Sequence, residues 1–258
     1  PKAQSKWYNN NWFIASMIMI GAALLRLIFL LTMYGMGGEM TGTVKVAKEY
    51  LGVNNGVFNF FEKMSALNTT STYSPGALYI LAVLGFTTKG LDAMSTSIVF
   101  RLINLIADVA VVGMIYFYGQ KRVGNKVATI YACLYALLPL SLVMSGINGT
   151  FECLLIALVI ASLILMIEKK YLATYFVMTL AAVLDIRALA VAPIIVAYFV
   201  YMYIKDDENA KKFTSNRAKI VFGLVASFVL AYLLTIPCSI HQIQGGDAFF
   251  GFKVMVQE

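Results

Sequence analysis

Charge is what this sequence has least of. Asp, Glu, Lys and Arg together make up 13% of the 258 residues, against 60% hydrophobic. A soluble domain carries about 25% charged residues. So large a deficit excludes a soluble enzyme, and a disordered chain needs the opposite composition. Cysteine is scarce as well. Cys133, Cys153 and Cys238 lie far apart, each in or beside an apolar run, and His241 is the only histidine. No CxxC or Cys/His spacing exists, which excludes a disulfide scaffold and leaves the cysteines as small apolar packing residues. Alternation of apolar and polar residues is missing too. The apolar runs are continuous, which argues against a β-barrel.

The few charges are unbalanced, with 20 Lys and Arg against 13 Asp and Glu and a formal net charge of +7. In a soluble protein this would suggest nucleic acid. Here the lysines lie mostly between apolar runs, so no nucleic-acid partner is expected and orientation in a bilayer accounts for them. Apolar stretches fall near Trp12–Gly35, Pro75–Thr88, Thr96–Gly119, Asn125–Ser145, Thr150–Glu168, Tyr171–Ile186, Ala188–Ile204 and Ala218–Cys238. The second is shorter than the roughly 17 residues a span requires, and Ser74-Pro75-Gly76 opens it as a helix start.

Charge decides whether that second stretch crosses. If it does not, the inside segments hold twelve of the 20 basic residues, while only Lys45, Lys48, Lys63, Lys89 and Lys253 lie outside. If it does, Lys121-Arg122 and the cluster from Lys205 to Lys219 move outside, against the positive-inside rule. The expected fold is therefore an all-α polytopic membrane protein of about seven spans with a cytoplasmic N-terminus. Residues 1–258 read as a single membrane domain, and 36–95 as a long outside loop with juxtamembrane helices, the class of loop that is usually functional. The chain starts at Pro1 and runs into its first span with no cleavable leader evident. It stops at Gln257-Glu258 in a polar, aromatic stretch, which suggests a piece of a longer protein.

Ionisable groups inside spans are expensive and call for a reason. Arg26 lies within the first span, Arg101 opens the next, and Asp108 lies about two turns deeper on the face it shares with Asn104. Asp185 and Arg187 occupy a turn between two short spans, expected to lie below the membrane surface. For Arg26 and Asp108 a buried interspan pair is the structural expectation, and for Asp185 and Arg187 a mutual pair that holds the turn. The functional expectation for Arg101 and Arg187 is a phosphate at headgroup depth, which a guanidinium suits. Glu39, Glu152 and Asp247 lie on the same outer side. A carboxylate above a membrane cavity can act as a general base toward a hydroxyl acceptor.

Five stretches occur in a telling order: Gly38-Glu39-Met40 after the first span; Tyr73-Ser74-Pro75-Gly76-Ala77-Leu78-Tyr79; Arg101-Leu102-Ile103-Asn104 through Asp108; Asn148-Gly149-Thr150-Phe151-Glu152; and Leu184-Asp185-Ile186-Arg187 with Pro193. In this order the chain resembles the GT-C membrane glycosyltransferases, a group that includes protein O-mannosyltransferases, GPI mannosyltransferases and bacterial cell-envelope enzymes. The resemblance implies an inverting transfer of mannose or another hexose from a polyprenyl-phosphate-linked sugar to an acceptor glycan, lipid or protein on the outer or lumenal face. It implies Glu39 as the catalytic base and Arg187, with Arg101, at the donor phosphate. Glu152 and Tyr73 fall near sugar or acceptor, where Asp247 on the same side would join them. Cationic stabilisation of the leaving phosphate is required. The two arginines could supply it with or without a divalent cation, and no cofactor is otherwise implied. Glu39 stands where this group usually has Asp. Two alternatives follow: a non-catalytic subunit that keeps the fold, working with an additional subunit, and an anionic-lipid transporter or flippase.

Overall fold

The computed structural model describes residues 11–32, 44, 74–146, 151–205, 216–250 and 253. Among the described residues every regular element is helical. The helices are α1 (Asn11–Thr32), α2 (Pro75–Thr87), α3 (Ala93–Val123), α4 (Asn125–Ala136), α5 (Pro139–Gly146), α6 (Glu152–Ile167), α7 (Tyr171–Leu184), α8 (Ala192–Lys205), α9 (Asn216–Thr235) and α10 (Ile240–Gln244). Short 3-10 turns cover Ile186–Val191 and Ile236–Cys238.

Four helical stretches are long and apolar enough to cross a bilayer: Asn11–Thr32, Ala93–Val123, Ile186–Ile204 and Arg217–Cys238. The pair α4 and α5, bent by 53° at its break, makes a fifth if it is one broken span. Shorter apolar helices lie at Pro75–Thr87, Glu152–Ile167 and Tyr171–Leu184. The molecule is thus a polytopic all-α membrane protein.

The chain divides into two compact units, one of residues 1–45 and 90–157 and the other of 46–89 and 158–258. The first is built on α3, whose 31 residues span about 46 Å, well beyond the ~30 Å hydrocarbon thickness. Its ends carry matching signals. Asp92 caps the start by accepting from the Ser95 amide at 3.2 Å, and Lys121 and Arg122 sit in the last turn, where the helix dipole favours cations. Gly124, at φ +88°, makes the reversal into α4. The seam of this unit is paved with small residues. Ala15 and Ala22 of α1 and Ala128, Ala132 and Ala136 of α4 pack with Val112 and Tyr116 of α3. Without a hydrophobic driving force in lipid, such close backbone approach is the main source of helix adhesion.

The second unit packs α9 across α7 and sets α2 on both. Ser74 caps α2, its hydroxyl accepting from the Ala77 amide at 3.4 Å while donating to the Leu184 carbonyl at the end of α7. Gly76 lies so close to that end that a Cβ there would stand 2.6 Å from the Leu184 Cα. The Tyr79 hydroxyl donates to the Leu234 carbonyl of α9 at 2.8 Å. The α2 helix is therefore held by capping, contact and hydrogen bonding at once.

Candidate functional site

Three arrangements carry polar or ligand-sized features. The first lies in the first unit, around Arg26 and Asp108, both of which are completely buried. Arg26 Nε donates to Asp108 Oδ2. Nη1 donates to the carbonyls of Ala22 and Ala136, each at 3.1 Å. Nη2 donates to Ser141 Oγ at 2.7 Å. Asp108 accepts further from the Tyr135 hydroxyl at 2.7 Å and from Ser141 Oγ at 2.6 Å. The pair is thus hydrogen-bonded from four helices, as a buried ion pair must be if it is to repay its desolvation. Ala136 ends α4 and Ser141 lies in α5, so Arg26 also binds both sides of the bent break.

The sequence expectation of an interspan pair is met here. Sequence reading missed Tyr135 and Ser141. Their signal was a hydroxyl on either side of a Leu-Leu-Pro break in an apolar run. Along the same face of α3, Arg101 and Asn104 are each 1% exposed and Ser97 is 4% exposed.

The second arrangement is the turn after α7. Asp185 accepts from the Arg187 amide at 2.8 Å and from Arg187 Nε at 2.8 Å. This is the mutual pair that holds the turn. The Arg187 side chain is 65% exposed, and neighbouring side chains do not enclose it.

The third is a groove of about 590 Å³ in the second unit, between α7, α8 and α9. Met178 and Ala182, Ile195 and Phe199, and Leu224 and Phe228 form its walls. Its threonines and its serine are turned back on their own helices. Thr174 donates to the Lys170 carbonyl at 3.1 Å, Thr179 to Tyr175 at 2.8 Å and Ser227 to Leu224 at 2.7 Å. Each hydroxyl is spent on its own helix, so the wall presents carbon. Tyr175 and Phe199 stack with ring centroids 4.8 Å apart. Gly223 of α9 packs against the Tyr175 ring. No motif in the sequence marks this groove, because it is made of the apolar residues that any span contains.

The other expected site residues fare unequally. Glu39 and Tyr73 lie outside the described residues. Glu152 is the first residue of α6 and half-buried, where a carboxylate complements the helix N-terminus. Asp247 pairs with Lys253 at 2.6 Å, both partly exposed. Among the described residues no three His, Cys, Asp or Glu side chains gather as metal ligands do.

No curated protein matches the chain, and no solved structure matches it. A protein-family model does match, over residues 13–257. That model does not describe a glycosyltransferase, so the expectation of a polyprenyl-phosphate-dependent sugar transfer with Glu39 as base is corrected. Of the short motifs behind that expectation, the one at Tyr73–Tyr79 contains the capped entry of α2, the one from Arg101 to Asp108 runs along the buried face of α3, and the one at Leu184–Arg187 makes the paired turn after α7, features of a fold rather than of a reaction. The model is that of GPI transamidase subunit PIG-U, and the chain belongs to this family.

Proposed function

We propose that this protein is a non-catalytic membrane subunit of a GPI transamidase, and that the groove between α7, α8 and α9 receives an acyl chain of the GPI lipid. The match over residues 13–257 carries the first part of this reading. Of the two alternatives to an enzyme, it favours the subunit over the transporter. The groove's carbon-faced walls support the second part.

The energetics define what such a groove can contribute. A lipid tail is already in an apolar medium, so entering the groove brings no hydrophobic gain. What it gains is packing against fixed aromatic walls such as Tyr175 and Phe199. That favours selection of one chain and its placement over tight binding. A subunit with this property would position the lipid for chemistry performed elsewhere in the complex.

The test combines assembly with groove occlusion. The wild-type chain, expressed in cells, is expected to co-purify with the transamidase. Ala182→Trp, which fills the groove from α7, should leave co-purification intact and reduce a GPI-anchored surface reporter severalfold. A chain that never co-purifies ends the subunit reading. Normal reporter levels with Ala182→Trp end the groove's part in it.

A further inference from the structure

The groove between α7, α8 and α9 outruns a single leaflet. On α8 and the 3-10 turn before it, its wall extends from Ile186 through Val200 to Tyr203. Those positions cover nearly all of Ile186–Ile204, one of the stretches long enough to cross a bilayer. At the rises of the two kinds of helix, this wall is about 28 Å long. On α9 the wall extends from Ile220 to Ala231, about 16 Å by the same rise. It straddles the middle of the span Arg217–Cys238. A leaflet is about 15 Å deep, half of the ~30 Å hydrocarbon core. The groove therefore crosses the bilayer midplane instead of ending within one leaflet.

Its width admits a chain and excludes a helix. A volume of about 590 Å³ spread over these lengths leaves a mean cross-section of roughly 20–40 Å², against about 80 Å² for a helix 10 Å across. A partner's transmembrane helix could lie over the groove but could not enter it. The two ends differ. At one, Arg217 Nε donates to the Tyr203 carbonyl at 2.9 Å, and its guanidinium lies 5.3 Å from the centre of the Tyr203 ring. This contact joins α8 to α9 and stops the groove with a cation. Lys205 and Lys219 are neighbours in sequence, so the positive-inside rule makes the Tyr203 end cytoplasmic. The Ile186 end is then the outer one.

Length decides how well a tail uses such a groove. A tail that ends within its own leaflet leaves Val200, Tyr203 and Ile220 to other hydrocarbon. A longer one packs along both halves. Each added contact brings a small dispersion gain, and the tail is in an apolar medium either way. Preference should therefore rise with chain length until the tail meets Arg217, and stop rising there.

We infer that the groove selects an acyl tail longer than one leaflet is deep, entering at the Ile186 end and finishing near Tyr203. The inference rests on the acyl-chain reading of this groove. It adds a chain length and a direction, which neither the family match nor that reading specifies.

The test is photocrosslinking of the purified complex in nanodiscs. The probes are phosphatidylinositols with a stearoyl or a lignoceroyl chain, each bearing a diazirine at the end of that chain and supplied in equal amounts. The lignoceroyl probe should label the groove severalfold more than the stearoyl probe, with its adducts toward Tyr203 and Ile220. Val200→Trp, which fills that half of the groove, should bring lignoceroyl labelling down to the stearoyl level. An unchanged preference in this variant overturns the inference. If the variant fails to assemble, the adducts in the wild-type complex decide, and lignoceroyl adducts confined to the half nearer Ile186 overturn it. So does equal labelling by the two probes. Stearoyl adducts in both halves would then mean two tails meeting end to end from opposite leaflets. Each of these outcomes leaves the acyl-chain reading standing. Only a groove that neither probe labels ends both, and the reporter response to Ala182→Trp checks that reading separately.

Discussion

Arg26 is tolerated at membrane depth because each of its nitrogens is met: Nε by Asp108, Nη1 by two carbonyls and Nη2 by Ser141. Removing one partner of such a pair costs far more than removing both, since the survivor keeps its charge and loses its solvation. Arg26→Met should therefore destabilise the protein by about 3–5 kcal/mol. Arg26→Met combined with Asp108→Leu should recover most of that loss. Thermal unfolding in detergent measures both. A double variant no better than the single would mean that the cluster acts through the Ala136 and Ser141 bonds across the break and not through its charges. At this scale the sequence was informative wherever a charge stood in an apolar run. Arg26, Asp108, Asp185 and Arg187 could be singled out, and both pairings anticipated, because a lone charge in lipid demands a partner. Ser141 and Tyr135 could not, since a serine hydroxyl in a helix can satisfy itself on the preceding turn and a tyrosine in an apolar run is indistinguishable from ordinary aromatic packing.

At the scale of elements, α2 shows how a short helix is fixed. Its 13 residues fall below the length of a span. Ser74, Gly76 and Tyr79 bind it to the ends of α7 and α9. Gly76→Ala sets two effects against each other. Alanine favours a helix by about 1 kcal/mol over glycine, yet its Cβ would stand 2.6 Å from the Leu184 Cα, a backbone atom that cannot rotate aside. The contact should win, with a lowered thermal midpoint. A raised midpoint would show that α2 shifts freely along α7. The helix start itself was legible, because Ser-Pro-Gly is a local signal. Its docking was not, because Leu184 is distant in sequence and nothing in its own neighbourhood marks it.

For the whole molecule, topology is the property closest to the sequence. Lys89, just before α3, and Lys126, just after it, are predicted to face opposite sides of the membrane, with Lys126 cytoplasmic. Single Lys89→Cys and Lys126→Cys variants, labelled with an impermeant maleimide in sealed membrane vesicles whose cytoplasmic face is outward and again after permeabilisation, check this. Lys126→Cys should react in the sealed vesicles and Lys89→Cys only after opening. The reverse pattern would invert the orientation, and equal labelling would mean that α3 does not span.

The sequence by itself determined the solvent, the helical class and the cost of each charge within it. Those follow from composition and from the length of apolar runs, which are local quantities summed along the chain. The family match, made over residues 13–257, also belongs to the sequence, although reading by short motifs led to a glycosyltransferase. Only the tertiary structure decided that α4 and α5 bend by 53° across a break held by Arg26, that a groove opens between α7, α8 and α9, and that Asn104 is buried without a partner among the described residues. In lipid every apolar face looks alike to its own helix. Which faces close on each other, and which leave a gap or an unmet amide, depends on the fit of side chains brought together from distant parts of the chain.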